Sequence, residues 1–154
     1  MTTFAVIPAG GAGTRLWPWS NRNTPKHLLD LTGNGRSLLQ ETYDRIAPLV
    51  DGVFVLTEER QVPMIRAQLQ DALFIVEPTA RGTANALGLA AFQIADSDPD
   101  AIMVSVAADH VIQDAGAYRD SITMAIRTAE TGDRLRLHQG RREGGGGLPS
   151  RGVR

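Results

Sequence analysis

The chain contains no cysteine, so disulfides, thiolate metal sites and thiol nucleophiles are excluded, and any metal must be held by oxygen or imidazole. Carboxylates become the metal candidates. Nor does any uninterrupted apolar run approach the roughly 20 residues that a membrane-spanning helix needs. Met1 to Phe4 leads into a strand-like segment without a basic leader. A cytoplasmic protein with no membrane partner is the expectation. Lysine is almost absent too: Lys26 stands alone among 16 basic residues.

What is present suits one folded domain, with 154 residues of which 42% are hydrophobic. The net charge of −1 conceals a division: residues 1–133 carry 16 acidic and 10 basic side chains, whereas 134–154 carry six arginines and only Glu143. From Arg134 onward there is neither alternation nor helical period, so this Arg/Gly-rich tail is expected to be disordered. It can be read as a natural basic tail able to touch nucleic acid. The abrupt loss of periodicity favours the other reading, a GC-rich gene read out of frame or cut short, and no nucleic-acid partner is expected.

Phe4 to Ile7 reads as a short buried strand that ends in the glycine-rich loop from Pro8 to Arg15. Ser37-Leu38-Leu39-Gln40 has the form of a capping box, with Leu38, Leu39, Tyr43 and Ile46 at helical spacing before Pro48. Val53 to Leu56 reads as a second strand. A helix over about 58–70 follows it, with Met64, Ile65 and Leu69 on its inner face. Phe74 to Val76 and Ile102 to Val106 read as further strands, the latter as the strongest, separated by a small-residue helix over 83–95. A last helix over 117–130 is stopped by Gly132. Strands alternating with helices predict an α/β fold with a mainly parallel sheet covered on both faces. Ligands in such sheets sit beyond the carboxyl ends of the strands, here just after Ile7, Val76 and Val106.

Each of those places carries an unusual sequence. After the first strand stands Gly10-Gly11-Ala12-Gly13-Thr14-Arg15-Leu16, where glycines let several backbone N–H groups close on a phosphate. A Walker A loop requires Lys then Ser/Thr at its end, and a dinucleotide fingerprint requires glycine where Leu16 stands. Both are absent. Arg15 and Lys26 can together neutralise charge on an α-phosphate and a departing pyrophosphate. Asp109, in Ala107-Ala108-Asp109-His110, is placed to hold Mg²⁺, which takes one or two protein oxygens along with phosphate and water. His110 reads as an orienting or packing residue. Glu77-Pro78 through Thr83 precedes the small-residue helix, whose N-terminus can read a base edge or a sugar. Plainer roles stay open for each: a flexible turn, a solvated lysine, an aspartate capping a turn, and Thr83 as a helix N-cap.

In this order, Gly10 through Arg15-Leu16-Trp17-Pro18-Trp19-Ser20, Pro25-Lys26-His27, Glu77-Pro78 through Thr83-Ala84, and Ala108-Asp109-His110 resemble the mannose-1-phosphate guanylyltransferase family of sugar-phosphate nucleotidyltransferases. The resemblance covers about residues 3–133. It implies a Rossmann-like, three-layer α/β/α nucleotidyltransferase fold and a Mg²⁺-dependent reaction of GTP with mannose 1-phosphate, giving GDP-mannose and pyrophosphate. On matching positions, Ala9, Gly10, Gly11, Gly13, Thr14, Glu77, Pro78 and Thr83 would line the nucleotide, Arg15 and Lys26 the phosphates, and Asp109 the metal. Residues 1–133 would then be the nucleotide-binding part of such a domain. The family's Arg-Asn-Thr-Ala-Pro is here Arg81-Gly82-Thr83-Ala84-Asn85, and its Gly-Tyr-Gly-Tyr-like motif, sugar-binding half and second metal-binding aspartate have no counterpart in 134–154. The chain is therefore expected to bind nucleotide with little turnover. Related uridylyl or thymidylyl transferases and a binding fragment without turnover are the other readings, and oligomeric state stays open.

Overall fold

The computed structural model describes residues 1–11, 17–21, 24–79 and 82–131. The expected strand at the amino end is β1 (Thr3–Pro8). Ala5 and Ile7 join one core cluster and Val6 the other, so successive residues serve opposite faces of the sheet. All three are fully buried, which is why a strand covered on both faces reads as a continuous apolar run.

The capping box forms as expected. Ser37 Oγ accepts the Gln40 N–H at 3.2 Å while Gln40 Oε1 accepts the Ser37 N–H at 3.0 Å, starting α1 (Leu38–Ile46). Leu38, Leu39 and Ile46 are buried beneath it. The strand β2 (Gly52–Glu58) runs longer than 53–56, because Glu58 remains in register with Glu77. That strand end displaces the helix expected over 58–70. A 3₁₀ turn takes residues 59–61, and α2 (Val62–Gln68) starts with Pro63 in its first turn, where a missing N–H costs nothing. Leu69 leaves the helix at φ −134° and ψ 89° yet is buried, Ile65 carries the inner face, and Met64 is only half-buried.

After β3 (Leu73–Glu77), α3 (Thr83–Ser97) begins one residue past the N-cap. Gly82 takes that place with φ 90°, and no side chain caps the helix; Thr83 is its first residue and not its cap. The left-handed backbone there favours glycine. The strand β4 (Ile102–Ser105) leads to α4 (Ala115–Thr131), which starts two residues before 117 because the Asp114 carboxylate accepts the Ala117 N–H at 2.9 Å. Gly132 and the tail 134–154 lie outside the described residues.

The four strands among the described residues are all parallel, in the order β3-β2-β1-β4. One core cluster packs Leu39, Ile46, Ile65 and Leu69 against Ala5, Ile7, Val53 and Val55, with Tyr118 and Ile122 of α4 at its margin. The other packs Ala86, Ala90 and Ile94 of α3 against Val6, Leu56 and Ile75. The result is the expected three-layer α/β/α arrangement. Its strand order reverses at β1, which opens a crevice between the loops after β1 and β4. The run expected to be the strongest strand proves to be the edge. No residue of β4 is fully buried, and it pairs only with β1 among the described residues. Position in the sheet, not apolar content, sets burial.

Ser37 also donates to Gln68 Oε1 at 2.6 Å, so Ser37→Ala removes a cap and a tie to α2. We expect a loss of about 1–2 kcal/mol, read as a lower urea midpoint. An unchanged midpoint would mean that the box contributes nothing.

Candidate functional site

The glycine loop is anchored by the end of β2. Ala9 N–H donates to the Leu56 carbonyl at 2.7 Å, and the buried Thr57 hydroxyl donates to the Ala9 carbonyl at 3.1 Å. Gln61, fully buried in the turn after β2, donates its amide to the Gly10 carbonyl at 3.4 Å. Both polar groups of Ala9 are thus spent on the scaffold. A Cβ added at Gly10 would stand 3.3 Å from Glu77 Oε2, while one at Gly11 would meet nothing within 4 Å among the described residues. At Gly10 the missing side chain admits a carboxylate; at Gly11 it leaves open space.

Across the crevice, Lys26 and Asp109 meet. Lys26 sits in a short 3₁₀ turn after Pro25, Asp109 follows β4, and Lys26 Nζ lies 3.1 Å from Asp109 Oδ2. Residues 83 positions apart in sequence are joined here. Both are partly exposed, so the pair contributes only about 0–1 kcal/mol and opens readily to a stronger partner. Among the described residues no group of three or more His, Cys, Asp or Glu side chains comes together. A lone carboxylate suits magnesium held mainly by phosphate and water, and does not suit a metal held by protein alone. His110 is exposed, and its carbonyl accepts a long hydrogen bond from Arg45 at 3.4 Å.

His27, next to Lys26, is buried. Loss of hydration lowers its pKa to about 4, against opposing effects of Asp109 and of the neighbouring Gln61, so the imidazole is neutral at pH 7. His27 Nε2 and Gln61 Oε1 are both buried, and neither has a hydrogen-bond partner among the described residues. Gln61 therefore stands between the glycine loop, whose carbonyl it holds, and the segment that carries Lys26.

A third group of residues lies beyond β2 and β3. Glu58 and Glu77 are partners in the ladder, and a cavity of about 530 Å³ opens beside them, floored by Val76 and bounded by Arg60, Pro78 and Thr79. Arg60 pairs with Glu58 at 2.7 Å. Burial, and then the charge of Glu58, raise the pKa of Glu77. Thr83 is exposed at the start of α3. Trp17 and Trp19 are among the most exposed large side chains, either side of Pro18, whose peptide bond to Trp17 is cis.

The fold thus brings Ala9, Gly10, Gly11, Lys26, Glu77, Pro78 and Asp109 to the carboxyl edge of one sheet. Gly13, Thr14 and Arg15 lie outside the described residues, as does Arg81. Thr57, Glu58 and Gln61 escaped the sequence reading. Their signal was the rule that every strand's carboxyl end merits inspection, applied after Ile7, Val76 and Val106 but not after Leu56.

The lowered pKa of His27 links stability to acidity. Its unfolded form takes up a proton near pH 6.5 and its folded form only near 4, so stability is full above pH 6.5 and is lost as pH falls through that window. The loss is on the order of 3 kcal/mol. Urea unfolding at several pH values should show it. His27→Gln should flatten the profile, and an unaltered slope would assign the effect to other groups.

Comparison with known proteins places the fold and the family. The nucleotidyl transferase family model matches residues 4–142. A mannose-1-phosphate guanylyltransferase from Escherichia coli is 38% identical over 133 residues, 82% of this chain and 28% of that protein. The crystal structure of a mannose-1-phosphate geranyltransferase from Thermus thermophilus superposes with a TM-score of 0.74 at 33% identity, over 86% of this chain and 39% of that one. A CTP:phosphocholine cytidylyltransferase from Streptococcus pneumoniae shares the fold alone, with a TM-score of 0.59 at 18% identity over 78% and 50% of the two chains. This chain spans about 28% of the length of the curated relatives it matches. With the family model matched over residues 4–142 and with Gly10 and Gly11 at the reversal point of a parallel sheet, the chain belongs to the nucleotidyl transferase family.

Proposed function

We propose that the chain binds GTP with Mg²⁺ along the carboxyl edge of its sheet, and that it is the nucleotide half of a site that transfers GMP to mannose 1-phosphate. The observation that carries this is the order of groups along that edge: Glu77 at the end of β3, Gly10 and Gly11 after β1, and Asp109 after β4 with Lys26 paired to it. Three strand spacings of about 4.8 Å separate β3 from β4. That span accommodates a nucleotide lying with its base toward Glu77 and its phosphates toward Lys26.

In the reaction, a phosphate oxygen of mannose 1-phosphate attacks the α-phosphorus of GTP. The bond from that phosphorus to the bridging oxygen breaks, and pyrophosphate leaves with the electron pair. Backbone N–H groups of the glycine loop hold the triphosphate, while Lys26, released from Asp109, and Arg15 neutralise the charge of the departing pyrophosphate. Magnesium, held by Asp109 together with phosphate oxygens, would supply further positive charge there. Glu77 suits guanine, whose N1–H and 2-amino group are adjacent donors that one carboxylate accepts together. Protonation would cancel that match, so guanine affinity should fall in acid, at a pH displaced upward by the burial of Glu77.

Calorimetry with Mg²⁺ tests the base reading. GTP should bind more tightly than UTP, dTTP or ATP, and Glu77→Gln should weaken GTP about 10–100-fold. Uptake of no nucleoside triphosphate by folded protein would remove the whole proposal, whereas an unchanged preference for GTP in the variant would remove only the role of Glu77. In a full-length relative, alanine at the position matching Lys26 should slow pyrophosphate release by about 10²–10³. A normal rate would take Lys26 out of the phosphate role.

A further inference from the structure

Three segments far apart in the chain come together behind the crevice mouth: the start of the glycine loop at Gly10, the Lys26 turn with His27, and the turn after β2 that ends in Gln61. Gln61 is fully buried and His27 nearly so. Gln61 Nε2 donates to the Gly10 carbonyl at 3.4 Å. A carbonyl can only accept, so it fixes which end of the amide carries nitrogen and leaves Oε1 as an acceptor on the other side.

Beside that amide lies the His27 imidazole, which is neutral and therefore bears one N–H and one bare nitrogen. Gln61 Oε1 and His27 Nε2 are the two buried atoms of these neighbours that have no partner among the described residues. A buried polar atom left unpaired loses its hydration and gains nothing in exchange, so such atoms are few in folded proteins. Oε1 can only accept. His27 Nε2 becomes a donor in the Nε2–H tautomer, and only in that tautomer do the two atoms satisfy each other.

We propose that Gln61 is a positioning residue that bridges the two arms of the phosphate cradle, accepting the His27 Nε2–H on Oε1 while donating from Nε2 to the Gly10 carbonyl. Each arm already has an anchor of its own. Gln68 donates to the Leu28 carbonyl at 3.3 Å and Leu38 N–H to the Leu29 carbonyl at 3.2 Å, which hold the Lys26 turn from the side of α1 and α2. The Thr57 hydroxyl, at 3.1 Å from the Ala9 carbonyl, holds the glycine loop from β2. Gln61 ties these anchored pieces to each other, so that Lys26 and the N–H groups of the glycine loop meet one triphosphate at a fixed separation. It touches no substrate and acts through Gly10 and through the residue next to Lys26. The bridge itself needs no nucleotide, whereas its use in holding a triphosphate rests on the function proposed above.

NMR of the isotope-labelled, unaltered chain tests the bridge. His27 should be the Nε2–H tautomer, with its Nε2 proton visible and in Overhauser contact with the Gln61 side-chain amide. The Nδ1–H tautomer, or the absence of that contact, would overturn the bridge. Calorimetry with GTP and Mg²⁺ then reads the positioning role. Gln61→Met, close to glutamine in volume, should weaken GTP about 3–10-fold. His27→Leu cuts the same bridge at its other end, should weaken GTP to the same extent, and takes the place of the first variant if that one proves unfolded by circular dichroism. A side chain that merely supports the fold would cost as much with Lys26 as without it. In a Lys26→Ala background the loss caused by Gln61→Met, or by His27→Leu in its place, should instead shrink below about 2-fold, because the group being positioned is gone. Equal losses in both backgrounds would refute the positioning role. Should the unaltered chain take up no nucleoside triphosphate, the functional proposal falls and the triphosphate role of Gln61 with it, while the imidazole proton still decides the bridge.

Discussion

The pairing of β1 with β2 on one side and β4 on the other, parallel in both directions, is the constraint from which the rest follows. A strand in that position must be apolar on both faces, and Ala5, Val6 and Ile7 are fully buried accordingly. Because the chain leaves β1 toward β2 and returns to its other side only at β4, the following loops diverge and leave a crevice. Gly10 and Gly11 stand at the mouth of that crevice as a consequence of strand order. No contact among the loops themselves is needed to put them there.

Precision at the mouth comes from buried polar side chains, not from the glycines. Thr57 and Gln61, both fully buried, bind the carbonyls of Ala9 and Gly10. A buried hydroxyl or amide is costly unless paired, so those side chains hold the loop's first residues in one position. The same buried layer keeps His27 neutral beside the charged Lys26. Along this edge the ionisable groups sit in three environments: a half-exposed ion pair at Lys26 and Asp109, a buried imidazole at His27, and a carboxylate at Glu77 pressed by burial and by Glu58. Such separation lets neighbouring groups perform different tasks at one pH.

The loop after Lys26 has a comparable economy. Asp30 organises three backbone N–H groups, and Glu41 gathers two side chains from the turn. Ser37 and Gln40 then start the helix, and Gln68 joins that helix start to α2 and to Leu28. The crevice and the helix layer are thereby coupled through a short run of hydrogen bonds as well as through the apolar core, against which Leu28 packs beside Leu39 and Ile65.

The sequence by itself determined what is local. The capping box at Ser37, the apolar runs of the strands, the alternation that makes the fold α/β, and the glycine loop directly after β1 all depend on residues close in the chain, whose backbone preferences and periodicity are legible there. The tertiary structure decided what depends on neighbours distant in sequence. It put Ile102 to Ser105 at the sheet edge despite their apolar run, and kept Glu58 in a strand because Glu77 pairs with it. It also joined Lys26 to Asp109 and gave Thr57 and Gln61 their hold on the loop. Burial and hydrogen-bond partners follow from the order of strands, and no window of the sequence contains that order.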